Sequence, residues 1–343
     1  MADRAPSRPR LALTLGDPAG IGPEVALAAL DDARVRAAAR VVVLGPGRFR
    51  PAHVPLGNVD DFDAHELAWI DTGGPETFEV GRVQASCGRA ALDALRCGVE
   101  LARARRVDGL VTAPVSKEAL HAAGEKVEGQ TELLGRWDGA QRFQMMAIAG
   151  RLRVMLLSRH LPLRAALDLV TVERVLEHLV LLDETLRGWG FAEPRLALAG
   201  FNPHAGERGV LGCEDLEVLE PAVAAARARG LCVKGPLSPD TVFIAAGEGQ
   251  HDAVLALYHD QAFIPIKLAA RHTALTVIAG LSFLRVSPAH GTAFDIAGRG
   301  LASPRNMIVA LLQAAAWSAG KPLAIVEDER ALEAAIRGDL PRP

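Results

Sequence analysis

Cysteine is scarce and unpatterned in this chain: Cys87, Cys97, Cys213 and Cys232 show neither CxxC nor zinc-ribbon spacing. A chain of 343 residues does not need disulfides to fold, so reduced thiols in a cytoplasmic protein are the expectation. An excess of one charge is also lacking. The formal charge is −3, and a near-neutral balance argues against a nucleic-acid binder, which carries a basic stripe. No run approaches the roughly 20 apolar residues of a membrane span. The apolar stretch after the basic N-terminus, 11–15, is too short for a signal peptide, so neither anchor nor leader is expected. Lysine is rare as well: of 38 cations, 33 are Arg and 5 are Lys, so each Lys is worth a question.

What is present is apolar bulk. Half the residues are hydrophobic and 23% are charged, which excludes intrinsic disorder. The length favours two domains or one large α/β unit. Short apolar runs alternate with longer amphipathic stretches, the pattern of βα units in a largely parallel sheet. The expected strands are 10–15, 40–44, 109–112, 144–149, 153–158, 195–199, 253–257 and 274–278. The clearest helices are 89–105, 172–188, 216–229, 305–319 and 329–337, and Pro23 suits the first turn of another. There is no internal repeat.

In open α/β sheets the chemistry gathers beyond the carboxyl ends of strands. Three expected strands lead there to a histidine: 154–158 to His160, 196–200 to His204, and 254–257 to His259. If these strands are parallel neighbours, the three imidazoles share one sheet edge and form an open divalent-metal site of the catalytic type. The alternative for each is a hydrogen-bonded structural histidine. His53, His65, His121, His178 and His272 fall in loops or on helix faces and read as surface residues. Asp260 and Asp240 are placed either to orient imidazoles or to shape turns.

The segment Gly16-Asp-Pro-Ala-Gly-Ile-Gly-Pro23 follows the first strand and opens a helix, where backbone N–H groups can meet an anion. A tight turn against the sheet explains it equally. It matches neither GxGxxG nor a P-loop, and no dinucleotide fingerprint occurs anywhere. Further phosphate candidates are Gly129-Gln-Thr-Glu132, Lys267 and Arg285. The two cations lie in apolar sequence contexts that demand an anionic ligand or a carboxylate partner.

Taken together, 15–24 (LGDPAGIGPE), 112–117 (TAPVSK), 129–134 (GQTELL), 159–163 (RHLPL), 201–206 (FNPHAG), 258–261 (YHDQ) and 290–293 (HGTA) resemble the 4-hydroxythreonine-4-phosphate dehydrogenase family of pyridoxal phosphate biosynthesis. The motifs run in family order over nearly the whole chain. The resemblance implies two α/β/α domains of the isocitrate/isopropylmalate dehydrogenase type, with the active site in the cleft between them. It also implies a homodimer with a shared active site. The expected domains are 10–126 with 284–340, carrying the cofactor loop, and 127–283, carrying metal, substrate and dimer contacts. By the same resemblance the metal ligands are His160, His204 and His259, the trio that strand ends select independently. Substrate contacts fall on Gln130, Thr131, Lys267, Thr276 and Arg285. Lys267 and Asp240 are the catalytic candidates. Cofactor contacts fall on His290, Gly291, Thr292 and Asp295, which would hold NAD or NADP without GxGxxG. The metal would be zinc, cobalt or magnesium. The chain departs from the family pattern at Gln130, where His is usual, at Thr276, where Asn is usual, and at Ala289, where Asp is common.

The implied reaction oxidises the hydroxyl of 4-(phosphooxy)-L-threonine to a β-keto acid, which decarboxylates to 3-amino-2-oxopropyl phosphate. An alternative is the sister group acting on 4-phosphorylated threonate or erythronate in sugar-acid catabolism. Members that oxidise aromatic cis-dihydrodiols carry no phosphate, and retention of Arg285 speaks against that substrate. A second alternative is a hydrolase that uses a three-histidine metal site without nicotinamide, and the last is a non-catalytic sugar-phosphate binder.

Overall fold

The computed structural model describes residues 8–57, 65–127, 129–270 and 273–320. The expected helix 329–337, together with His272 and Lys321, lies outside the described residues. Eleven strands are present among them: β1 (Arg10–Thr14), β2 (Arg40–Gly45), β3 (Leu67–Asp71), β4 (Gly109–Thr112), β5 (Gln144–Ala149), β6 (Leu152–Leu156), β7 (Arg195–Ala199), β8 (Cys232–Leu237), β9 (Ala253–Ala256), β10 (Leu275–Ala279) and β11 (Arg285–Pro288). They divide between two compact units, one running to Gln141 and resuming at Leu281, the other Arg142–Gly280. The first unit thus keeps the helix Gln130–Asp138, which the expected boundary at 126/127 had given to the second.

In the first unit the order is β3-β2-β1-β4-β11, all parallel. Strands covered on both faces must be apolar throughout, and β1, β2 and β4 are almost wholly buried. The helix Ala85–Arg103 packs beside them through small residues: a Cβ on Gly98 would meet Leu110 at 2.7 Å, and one on Gly88 the Ala119 carbonyl at 2.0 Å. The helix Arg305–Ser318 is buried on nearly every face, as its mostly apolar sequence requires, with Asn306 and Gln313 as buried polar members.

In the second unit the order is β10-β5-β6-β9-β7-β8. β6, β9, β7 and β8 run parallel, while β5 is antiparallel to both neighbours. The reversal comes from a two-residue hairpin, Gly150-Arg151, with Gly150 at φ 57° and Ala149 paired with Leu152. β3, β8 and β11 were not among the expected strands. The expected helix 216–229 divides into a wider turn, Asp215–Leu219, and a regular part, Glu220–Ala228.

Candidate functional site

In the second unit the parallel run β6-β9-β7 places three strand ends side by side, and they lead in order to His160, His259 and His204. The condition set by the sequence, parallel neighbours, is met by the backbone. The His160 and His259 ring centroids are 5.5 Å apart. The His259 Nδ1–H donates to the Asp260 carboxylate at 2.7 Å, which leaves Nε2 as the outward lone pair. His204 sits in a turn, Pro203–Arg208, where His204, Ala205, Glu207 and Arg208 all have φ between 43° and 56°. Left-handed backbone costs a non-glycine residue about 1–2 kcal/mol, so this turn is held against its own preference. The exposed Asp240 lies near it, and its carboxyl is held below the ordinary range by the Ser238 hydroxyl, with a smaller contribution from the His204 imidazole.

As a donor set, three imidazoles with one tautomer fixed by a carboxylate suit a borderline divalent cation. Among the described residues, however, no three His, Cys, Asp or Glu side chains are gathered as one metal-holding group. The backbone brings the histidines to one edge; the trio of rings is not drawn together. The helix His259–Ala269 continues the site along one face at i, i+4 and i+8. His259 stacks on Phe263 at 4.6 Å, and the Lys267 ammonium lies 5.7 Å from the Phe263 ring centroid. Lys267 itself is exposed, so the costly apolar burial expected for it does not occur. Thr276 is buried on β10.

The first unit holds the buried cation. Arg285 is 3% exposed at the start of β11. Its Nε and Nη2 donate to the Thr112 hydroxyl at 3.1 and 2.7 Å, and Nη2 also donates to the Gln130 carbonyl oxygen at 2.9 Å. Burial alone pushes the guanidinium down to about 9, so it stays charged at neutral pH among neutral partners. Gln130, expected to touch substrate, is committed on both ends, since its amide N–H also donates to the Ala113 carbonyl at 3.3 Å. Thr131 is buried beside it in the first turn of the helix.

The glycine-rich segment after β1 is a turn, and the anion-binding alternative fails on its hydrogen bonds. The N–H groups of Asp17, Gly20 and Ile21 donate to the carbonyls of Pro114, Asp17 and Thr292, and that of Ala19 to the Asp17 carboxylate. The chain's own acceptors therefore fill the places an anion would take. Pro23 does sit in the first turn of the helix Gly22–Leu30. The turn packs on the candidate cofactor loop: a Cβ on Gly20 would lie 2.9 Å from the Thr292 Cβ. His290, two residues past β11, has its Nδ1 3.1 Å from the Gly291 carbonyl, burial lowers its pKa, and Asp295 is exposed.

Sequence reasoning missed a set of buried polar residues. His178 is not a surface residue: it is half-buried, and burial pushes its pKa down to about 4. Its Nδ1–H donates to the Arg174 carbonyl at 2.7 Å, which leaves Nε2 to accept from the Gln144 amide at 3.2 Å. Gln144 in turn receives the Arg159 guanidinium, next to His160. Ser158, Asp215 and Gln261 were also unread, although Gln261 lies in the quoted motif at 258–261.

With this geometry in view, the chain matches the family model for the pyridoxal phosphate biosynthetic protein PdxA over residues 25–314. The chain belongs to the PdxA family. A D-threonate 4-phosphate dehydrogenase from Salmonella typhimurium is 40% identical over 315 residues, 88% of this chain and 96% of that protein. A 4-hydroxythreonine-4-phosphate dehydrogenase from Beijerinckia indica is also 40% identical, over 311 residues, 87% of this chain and 91% of that one. The crystal structure of a 4-hydroxythreonine-4-phosphate dehydrogenase from Klebsiella pneumoniae superposes with a TM-score of 0.82 at 37% identity, covering 90% of this chain and 99% of its own. As a PdxA family member with dehydrogenase relatives over nearly its full length, the protein is an oxidoreductase. Among the described residues no helix is long and apolar enough to cross a membrane.

Proposed function

We propose that this protein is an NAD- or NADP-dependent, divalent-metal-dependent dehydrogenase of a 4-phosphorylated four-carbon hydroxy acid, with 4-(phosphooxy)-L-threonine as substrate in pyridoxal phosphate biosynthesis. The observation that carries the reading is Arg285: a fully buried guanidinium whose hydrogen-bond partners, Thr112 and Gln130, are both neutral. Burying a charge among neutral groups is costly, and a dianionic phosphate offsets that cost with charge-assisted, bidentate bonds. Thr131, Thr276 and the compact point charge of Lys267 are the remaining substrate candidates.

His160, His204 and His259 would hold zinc, cobalt or magnesium, and Asp260 fixes which nitrogen His259 presents. Bound there, the cation would lower the pKa of the substrate hydroxyl, while nicotinamide would accept the hydride. His290, Gly291, Thr292 and Asp295 are the candidate nicotinamide contacts, in a loop braced by Gly20 and Ile21. The hydroxyl proton leaves to a base, for which Lys267 and Asp240 are the candidates, and the β-keto acid loses CO2 because its ketone takes up the electrons. Holding the phosphate at Arg285 spends remote binding energy on orienting the carbon that is oxidised. A homodimer and a cytoplasmic setting accompany this reading.

One observation favours D-threonate 4-phosphate or the erythronate isomer instead. Gln130 is a neutral amide whose oxygen is already held by Arg285 and whose nitrogen is held by Ala113, so it brings no charge to a substrate ammonium; a D-threonate 4-phosphate dehydrogenase is as similar as a 4-hydroxythreonine-4-phosphate one. NADH formation measured on one preparation with 4-phosphohydroxythreonine, D-threonate 4-phosphate and 4-phosphoerythronate separates them. A clear preference for an amino-free acid overturns the first choice, and no reduced nicotinamide with any of the three, supplied with NAD or with NADP, overturns both.

A further inference from the structure

The carboxyl end of β4 carries a hydroxyl where a strand buried between two neighbours ordinarily has an apolar side chain. Thr112, fully buried, closes the run Gly109–Thr112 between β1 and β11. Arg285 is in register with Leu110, so its side chain runs along the sheet by two residues, about 7 Å, to reach Thr112. A guanidinium carries five N–H donors in one plane. Nε and Nη2 both donate to the Thr112 oxygen, at 3.1 and 2.7 Å, which fixes the rotation of that plane, and Nη2 donates again to Gln130 Oε1 at 2.9 Å. The Gln130 amide is moored in turn on the carbonyl of Ala113, the residue after Thr112. Both anchors therefore belong to the end of β4. Three of the five donors are used, and the two on Nη1 have no partner among the described residues.

We propose that Thr112, with Gln130 as a second anchor, is a positioning residue that holds the Arg285 guanidinium in the one orientation that presents Nη1 to the substrate phosphate. The inference rests on the reading of Arg285 as the phosphate seat. The chemistry of the anchors supports it. A carboxylate would hold a buried guanidinium more cheaply, but it would neutralise the charge and repel a phosphate dianion. A hydroxyl and an amide fix the same plane and leave the full positive charge for the ligand, as a preorganised site requires. Thr112 touches no substrate in this scheme; its effect passes through Arg285. A purely structural role for the same bonds would change stability and leave the phosphate affinity of the folded protein as it was.

The test follows kcat/KM with the preferred phosphorylated acid, and the dissociation constant of inorganic phosphate from its effect on the urea midpoint, in full-length variants shown by circular dichroism to be folded. Thr112→Val, which keeps the shape and loses the oxygen, should weaken phosphate binding and lower kcat/KM, each about 10–100-fold. Thr112→Ser, which keeps the oxygen, should restore both. Placed on Arg285→Met, Thr112→Val should lower kcat/KM no further, because the group it orients is gone. Should Thr112→Val fail to fold, Gln130→Met, at a half-buried site, takes its place in the same comparison. A folded variant with wild-type phosphate affinity overturns the positioning role, and so does an equal loss in the presence and absence of Arg285. A wild type that does not respond to phosphate overturns the reading of Arg285 and this inference with it.

Discussion

Replacing Arg285 with methionine separates the two demands placed on that residue. Pushing a guanidinium from its ordinary value down to about 9 by burial corresponds to a cost on the order of 5 kcal/mol for keeping it charged. Methionine fills a similar volume without that cost. It strands the Thr112 hydroxyl, which is fully buried, at about 1–3 kcal/mol, whereas the half-buried Gln130 can turn to water. The expected Arg285→Met protein is therefore more stable than the wild type, by about 2–4 kcal/mol. Loss of the buried anion partner should cost about 2–4 kcal/mol in transition-state binding, or roughly 30–1,000-fold in kcat/KM. Urea denaturation with and without inorganic phosphate reads both effects, because a ligand that binds only the folded chain raises the midpoint. Phosphate should stabilise the wild type and not the variant. A variant destabilised by more than ~3 kcal/mol, with its response to phosphate intact, would refute the reasoning and make Arg285 a structural residue.

Asp17 gives a pH signature. Burial raises its carboxyl from 3.8 to about 6, so the folded chain holds this proton more tightly than the unfolded chain. Its contribution is fully present below pH 4 and is lost as pH rises through 6, by about 3 kcal/mol. Asp17→Asn should be more stable than the wild type above pH 6 and equal to it below pH 4, as followed by urea midpoints across that range; a variant weaker at pH 7 contradicts this. Gly20→Ala would set a methyl 2.9 Å from the Thr292 Cβ and force the two loops apart. KM for the nicotinamide should rise about tenfold or more while the fold survives, and an unchanged KM removes the loop at 290–292 from cofactor binding. His204→Ala should abolish turnover without lowering the melting temperature, since the side chain is exposed.

The strands that position the histidines were legible because β6, β7 and β9 are short buried apolar runs, and a buried run advertises itself by composition. β8 is an edge strand, half open to water, and carries Lys234 and Pro236, so it does not read as apolar, whereas β3, Leu-Ala-Trp-Ile-Asp at the other edge, is an apolar run of four that went unused. β11, Arg-Val-Ser-Pro, is buried, but its polar members are satisfied by distant partners such as Thr112, 173 residues away in sequence. The direction of β5 had a visible signal that went unused, a two-residue link beginning with glycine between two apolar runs. Ser158, Asp215 and Gln261 left no such trace. Their partners are backbone atoms, and a sequence does not show which carbonyl lies across a strand end.

At two candidate substrate contacts the choice between arginine and lysine follows burial. Arg285 sits where water is excluded, and its planar fork meets three acceptor directions at once, two nitrogens on Thr112 and one of them shared with Gln130. An ammonium there would leave part of that arrangement unmet. Lys267 occupies the opposite environment, exposed at the end of the face that runs from His259 through Phe263. A flexible stem and a compact charge suit a group that must travel to a substrate, while a fixed fork suits one that waits for it. The two cations are therefore not interchangeable contacts to one phosphate. Arg285→Lys should lose phosphate binding despite keeping the charge, whereas Lys267→Arg should retain binding and lose rate.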